Sequence, residues 1–143
     1  MTETMPGEAP DTTPEKDRPM TYDDSNIFAR MLRGEIPNDT VAENAHALAF
    51  RDIRPQAPVH VLVIPRGRYV SYDDFAANAS DDEIVGFNRL VAEVARAEGL
   101  SLADGGDGFR AITNAGAHGV QEVPHFHLHL LGGRPMGRMV SRD

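Results

Sequence analysis

The sequence predicts an α+β domain: a five-stranded, largely antiparallel sheet with one short and one long helix. Three observations predict it. Residues 125–131 read His-Phe-His-Leu-His-Leu-Leu, an alternation with the period of a strand. Ile84, Phe87, Leu90, Val91, Val94 and Ala95 recur at helical spacing. The other apolar runs are short and follow one another without a helix between each pair, which argues against an alternating βαβ fold.

In chain order, residues 1–24 hold Pro6, Pro10, Pro14 and Pro19 among many polar groups. Such a stretch buries too little apolar surface to offset its ordering entropy, so it predicts a disordered acidic tail before a single domain at 25–143. Ser25 is the predicted N-cap of a short helix over 26–33, with Ile27, Phe28, Met31 and Leu32 on one face and Gly34 as its stop. Strands follow at 41–43 and 45–52. Residues 53–58 form a turn-rich link with Pro55 and Pro58, and 59–64 is a strongly apolar third strand closed by Pro65. Asp73 and Asp74 sit in a polar stretch with room for a helical turn. Ser80 and Glu83 form a capping box for the long helix, which Gly99 ends. After a turn at Gly105, Gly106 and Gly108, strands are predicted at 109–114 and 124–131.

The 143 residues suit one domain, and 41% of them are apolar, enough for one core. The net charge is −8; residues 1–24 carry seven acids against two bases, so most of it belongs to the tail. No basic field remains to track a nucleic-acid backbone, which excludes duplex nucleic acid as the main partner but leaves room for a small phosphate ligand. The chain has no cysteine, so disulfides, thiol catalysis and cysteine-type zinc sites are excluded. No signal-like segment or membrane-length apolar run is present, so a cytoplasmic protein without a membrane partner is expected.

The histidines carry the chemistry. On a strand, His125, His127 and His129 share one face while Phe126, Leu128 and Leu130 face a core. Histidine titrates near neutral pH and serves as acid, base, nucleophile or metal ligand. Five strand residues span more than about 13 Å, so three alternating imidazoles do not share one ion. No metal and no cofactor are expected. The preceding segment, Asn114 to Pro124, holds Gly116 and Gly119, which permit a backbone that aims amide groups at an anion.

The His125–Leu131 pattern resembles the His-x-His-x-His-x-x motif of the histidine triad superfamily. Asn26-Ile27-Phe28, Gly34-Glu35-Ile36-Pro37, Ala49-Phe50-Arg51-Asp52-Ile53, Pro55-Gln56-Ala57-Pro58, His60 to Pro65 and Leu131-Gly132-Gly133-Arg134-Pro135 resemble its histidine triad nucleotide-binding (Hint) branch. The resemblance spans about 25–139. It implies a homodimer whose sheet continues across the interface. It also implies hydrolysis of purine nucleoside phosphoramidates through a nucleotidyl-histidine intermediate. By position, His127 is the expected nucleophile, His129 the donor to a phosphate oxygen, His125 an orienting residue and His60 a supporting fourth histidine. Asp52 is expected on the ribose hydroxyls, though a strand-end Asp also makes turns. Ile27, Phe28, Met31, Phe50, Ile53 and Leu62 map to the purine pocket, and Asn114, Gln121 and Glu122 to the phosphate loop.

Two positions depart from the resemblance. Glu122 stands where many members have Ser, and a carboxylate repels phosphate unless it turns away or is protonated. Val120 replaces a usual Gly. His118 and His46 fit no motif and are expected on the surface. The rival functions are a metal-binding module, since His-x-His is a common zinc-pair spacing, a dinucleoside polyphosphate hydrolase using the same His127, and a nucleotide-binding scaffold with little catalysis.

Overall fold

The structure, a computed structural model, describes residues 21–140. The first twenty residues of the predicted tail lie outside the described residues, as do 141–143. Helix α1 (Ile27–Leu32) leads into strands β1 (Thr40–Glu43), β2 (Ala47–Arg51) and β3 (Val59–Pro65). Helices α2 (Tyr72–Asn78) and α3 (Asp81–Ala97) follow, then a 3-10 turn and strands β4 (Arg110–Ile112) and β5 (Leu128–Gly132). The sheet order is β1-β2-β3-β5-β4 and every pairing is antiparallel. This is the α+β architecture the sequence predicts.

Successive strand residues divide between two cores. Ala47, Ala49, Val61, Val63 and Leu130 point towards α2 and α3, where they meet Phe75, Phe87, Leu90 and Val94. Leu48, Phe50, Leu62 and Ile64 point the other way, under Phe28 of α1. β2 and β3 are therefore apolar on both faces, which explains why they read as continuous hydrophobic runs. Phe126 belongs to the first core, in an aromatic cluster with Phe75 and Phe87 at centroid separations of 5.1 and 5.0 Å.

α3 forms where its pattern and caps require. Ser80 accepts from the Glu83 backbone N–H and Glu83 accepts from that of Ser80, closing the capping box. At α1 the cap differs from expectation: Asn26, not Ser25, accepts from the Ala29 N–H, at 2.9 Å. Ser25 instead gives its hydroxyl to Asp23. The structure also has a full helix, α2, where the sequence shows little more than a polar stretch. Its anchor is the single buried Phe75, too few apolar residues to produce a helical pattern.

Strand ends are trimmed for local reasons. Asn44 accepts from the backbone of His46 and Ala47, so a turn occupies the start of the expected second strand. The expected fifth strand begins at 124, but ladder pairing starts at Leu128. Before that, Phe126 N–H donates to the Tyr69 carbonyl and Thr113 Oγ1 to the His127 carbonyl, bonds to loops in place of a ladder. His46, expected on the surface, is half-buried: a Cβ on Gly86 of α3 would come within 2.7 Å of its ring. His118 is exposed, as expected.

Candidate active site

The sheet face that carries α1 also carries the histidines. Register places Leu62 of β3 opposite His129 of β5, and Phe50 of β2 opposite Leu62. One step along, the Asp52 amide bonds the His60 carbonyl. Asp52, His60 and His129 thus line up across three neighbouring strands. His125 and His127 precede β5 yet keep the alternation: both rings pack edge-on to Phe28 of α1, with centroids 6.3 and 5.0 Å away. All three triad imidazoles share a face, although only His129 lies in the strand itself.

Each ring has a tautomer fixed by its partners. His127 Nδ1 lies 2.8 Å from the His125 carbonyl, so Nδ1 carries the hydrogen and Nε2 keeps its lone pair. The Gln56 backbone N–H donates to His60 Nδ1 at 3.1 Å, so His60 carries its hydrogen on Nε2. That Nε2 lies 2.9 Å from His129 Nδ1, which must accept, leaving His129 with Nε2–H as its donor. His125 Nε2 donates to the Pro65 carbonyl at 2.8 Å. Burial lowers the pKa of all four rings by penalising the charged form; His125 and His129 are pushed down to about 4. The cluster is neutral at pH 7.

His127 and His129 open into a cleft of about 410 Å³. Ile27, Phe28, Met31, Phe50, Ile53 and Leu62 line it, as do Asp52, Asn114 and Glu122. Ile53 is 88% exposed, so it forms the rim and not the floor. Asp52 Oδ1 accepts from the Arg54 N–H at 2.8 Å, so the turn-making role of a strand-end Asp is real, and the same bond steadies the carboxylate at the cleft.

Gln121 is not brought to the cleft. It is buried, and its side chain accepts from the Gly116 N–H and donates to the carbonyls of Val70 and Val123. It staples the glycine loop. Gly119 is required there: a Cβ would stand 2.6 Å from the Ala115 nitrogen. Glu122 is exposed on the cleft wall. Val120 adopts φ 57° and is 73% exposed, a left-handed backbone that a β-branched residue strains to hold.

The sequence missed several cleft residues. Ile36, Pro37, Asn38 and Asp39 follow α1 and line the cleft with Arg51 and Gln56. Only the fold brings them there; none has a chemical signature of its own. Asp52, His60 and His129 also bring metal-ligand atoms within 4.8 Å of one another, a grouping that spacing within the triad could not show. Their hydrogen bonds already occupy both nitrogens of His60 and Nδ1 of His129.

Fold and cleft together define a nucleotide-scale site built on a histidine row. The HIT domain profile matches residues 33–136. A HIT-like protein of Azospirillum brasilense is 52% identical over 122 residues, covering 85% of this chain and 97% of its own. The purine nucleoside phosphoramidase of Escherichia coli K12 is 41% identical over 119 residues, covering 82% and 95%. Among solved structures, a HIT family hydrolase from Clostridium thermocellum superposes with a TM-score of 0.71 at 32% identity, covering 82% of this chain and 97% of that one. The chain belongs to the histidine triad (HIT) superfamily, on its Hint-like branch.

Two outcomes follow from the site's physics. Val120→Gly relieves left-handed strain of roughly 1–3 kcal/mol and adds unfolded-chain entropy of roughly 0.5–1 kcal/mol. It should stabilise the protein by about 1 kcal/mol in urea unfolding; a destabilised variant would mean that Val120 is unstrained. The second concerns pH. Unfolded, the buried histidines take up protons below their ordinary 6.5; folded, His125 and His129 resist until about 4. The unfolded state therefore binds more protons in that window, and stability should fall as pH drops from 6.5 towards 4. A urea midpoint that stays flat over this range would contradict the burial of neutral imidazoles.

Proposed function

We propose that this protein hydrolyses purine nucleoside phosphoramidates through a nucleotidyl-His127 intermediate. One observation carries the reading: His127 gives its Nδ1 hydrogen to the His125 carbonyl, so its Nε2 lone pair is left to the cleft. A neutral imidazole with one nitrogen tied and the other free is the form that attacks phosphorus. The kinship with a purine nucleoside phosphoramidase supports the substrate class.

In this reading the base lies between the apolar walls of Ile27, Phe28, Met31, Phe50, Ile53 and Leu62. Asp52 accepts from the ribose 2′,3′-diol. Asn114, the Glu122 backbone amide and the glycine loop that Gln121 staples hold the phosphate. His127 Nε2 bonds to the α-phosphorus while the P–N bond to the amine breaks, and the amine takes a proton from water in the cleft. His129 Nε2–H donates to a phosphate oxygen as charge builds there. Water then attacks the same phosphorus, gives its proton to solvent, and releases the nucleoside monophosphate and neutral His127. His60 acts through His129 by fixing its tautomer. No metal ion or cofactor takes part.

The reading includes a homodimer that continues the sheet past the outer edge of β4, where Phe109 and Ile112 are exposed. It also includes a cytoplasmic site of action. No described helix is long and apolar enough to cross a membrane.

Adenosine phosphoramidate should be turned over faster than diadenosine polyphosphates. His127→Gly should reduce that turnover by several orders of magnitude while nucleotide binding persists, because the walls and Asp52 remain. Near wild-type turnover in that variant would end the nucleophile assignment. Asp52→Asn removes the charge behind two hydrogen bonds worth roughly 1.5–3 kcal/mol each, so kcat/KM should fall by about tenfold or more. The loss should shrink greatly on a 2′,3′-dideoxy substrate; equal losses on both would make Asp52 a turn residue alone.

A further inference from the structure

His125 is 0% exposed, yet a side chain from outside the domain's regular elements reaches it. Tyr22 Oη lies 2.7 Å from His125 Nδ1. Because His125 Nε2 donates to Pro65, Nδ1 must accept, and the tyrosine hydroxyl is the donor. The two rings pack at 5.5 Å, tilted by 59°. Tyr22 is itself clamped. The Arg68 guanidinium sits 5.1 Å above its ring centroid, and Arg68 makes a two-point ion pair with Asp24 at 2.8 and 2.9 Å. The sequence assigns Tyr22 and Asp24 to the tail, but both make these contacts with the domain.

We propose that Tyr22 is a positioning residue of the triad: its hydroxyl locks the tautomer and ring of His125, and the His125 carbonyl in turn aligns His127. The inference rests on the assignment of His127 as nucleophile. A buried imidazole nitrogen without a donor is costly, and the ring relieves that cost by turning over or moving its proton. Either change shifts the backbone whose carbonyl accepts from His127 Nδ1. Once that acceptor is misaligned, His127 also populates the tautomer with its hydrogen on Nε2, which cannot attack. A fraction of the enzyme then becomes unreactive, while the walls that bind substrate are untouched. Tyr22 does not line the cleft, so its contribution falls on kcat and not on KM.

Tyr22→Phe keeps the ring, its packing and its Arg68 contact, and removes only the donor. In the full chain with adenosine phosphoramidate, kcat should fall by about fivefold, and KM should stay within about twofold. Nitrogen-15 NMR of the imidazoles should show His125 passing from one Nε2–H tautomer to a mixture, with His127 following. An unchanged kcat overturns the proposal. So does a loss of kcat with both tautomers intact, or a rise in KM alone. The NMR measurement needs no turnover. If the wild-type chain cleaves no phosphoramidate, the assigned reaction fails, while an unchanged His125 tautomer in Tyr22→Phe would refute the role of Tyr22 separately.

Discussion

The hydrogen bond from His127 Nδ1–H to the His125 carbonyl decides which nitrogen faces the cleft, and the rest of the site is arranged around it. It joins two residues two positions apart, which lie on the same face of an extended chain. Between them, Phe126 points the opposite way and is fixed in an aromatic cluster under α3. The backbone cannot twist to release the bond without pulling Phe126 from that cluster. Thr113 holds the next carbonyl, that of His127, from the end of β4. A local interaction thereby acquires the rigidity of the whole core.

Burial supplies the second constraint. Four imidazoles on one face of a sheet would repel one another if protonated, and desolvation lowers the pKa of each. Neutral rings offer one donor and one acceptor each, so they form directional chains. The order Gln56 N–H to His60, then His60 to His129, sends one donor into the cleft; the bond at His127 sends one lone pair. A donor and a free lone pair side by side, at a ring separation of 5.1 Å, come from one physical cause applied to two neighbours.

Much of this is legible in the residues because period-two alternation is a geometric statement. His125-Phe126-His127-Leu128-His129-Leu130 specifies two faces whether or not ladder bonds form, which is why the faces are right although β5 starts at Leu128. The capping box of α3 is equally legible, since both partners are three residues apart. What stayed hidden depends on distance in space. α2 has one buried anchor and no pattern. Gln121 has the polarity of a ligand-binding residue, but the fold turns its amide onto Val70, 51 positions away in sequence. Tyr22 lies in a stretch whose composition argues for disorder, and only the contact with His125, 103 positions on, reveals its place. The left-handed Val120 was visible in advance only as a residue standing where glycine is usual.

The central claim is that His127 Nε2 forms a bond to phosphorus, and it is tested most directly by trapping that bond. The wild-type chain should be mixed with an adenosine phosphoramidate labelled in its nucleotide, quenched in base within a turnover, and digested for mass spectrometry. The account predicts an acid-labile, base-stable AMP adduct on the peptide that carries His127, absent when His127→Gly is treated alike. Turnover with no adduct, or an adduct on His125, His129 or any other residue, would contradict it.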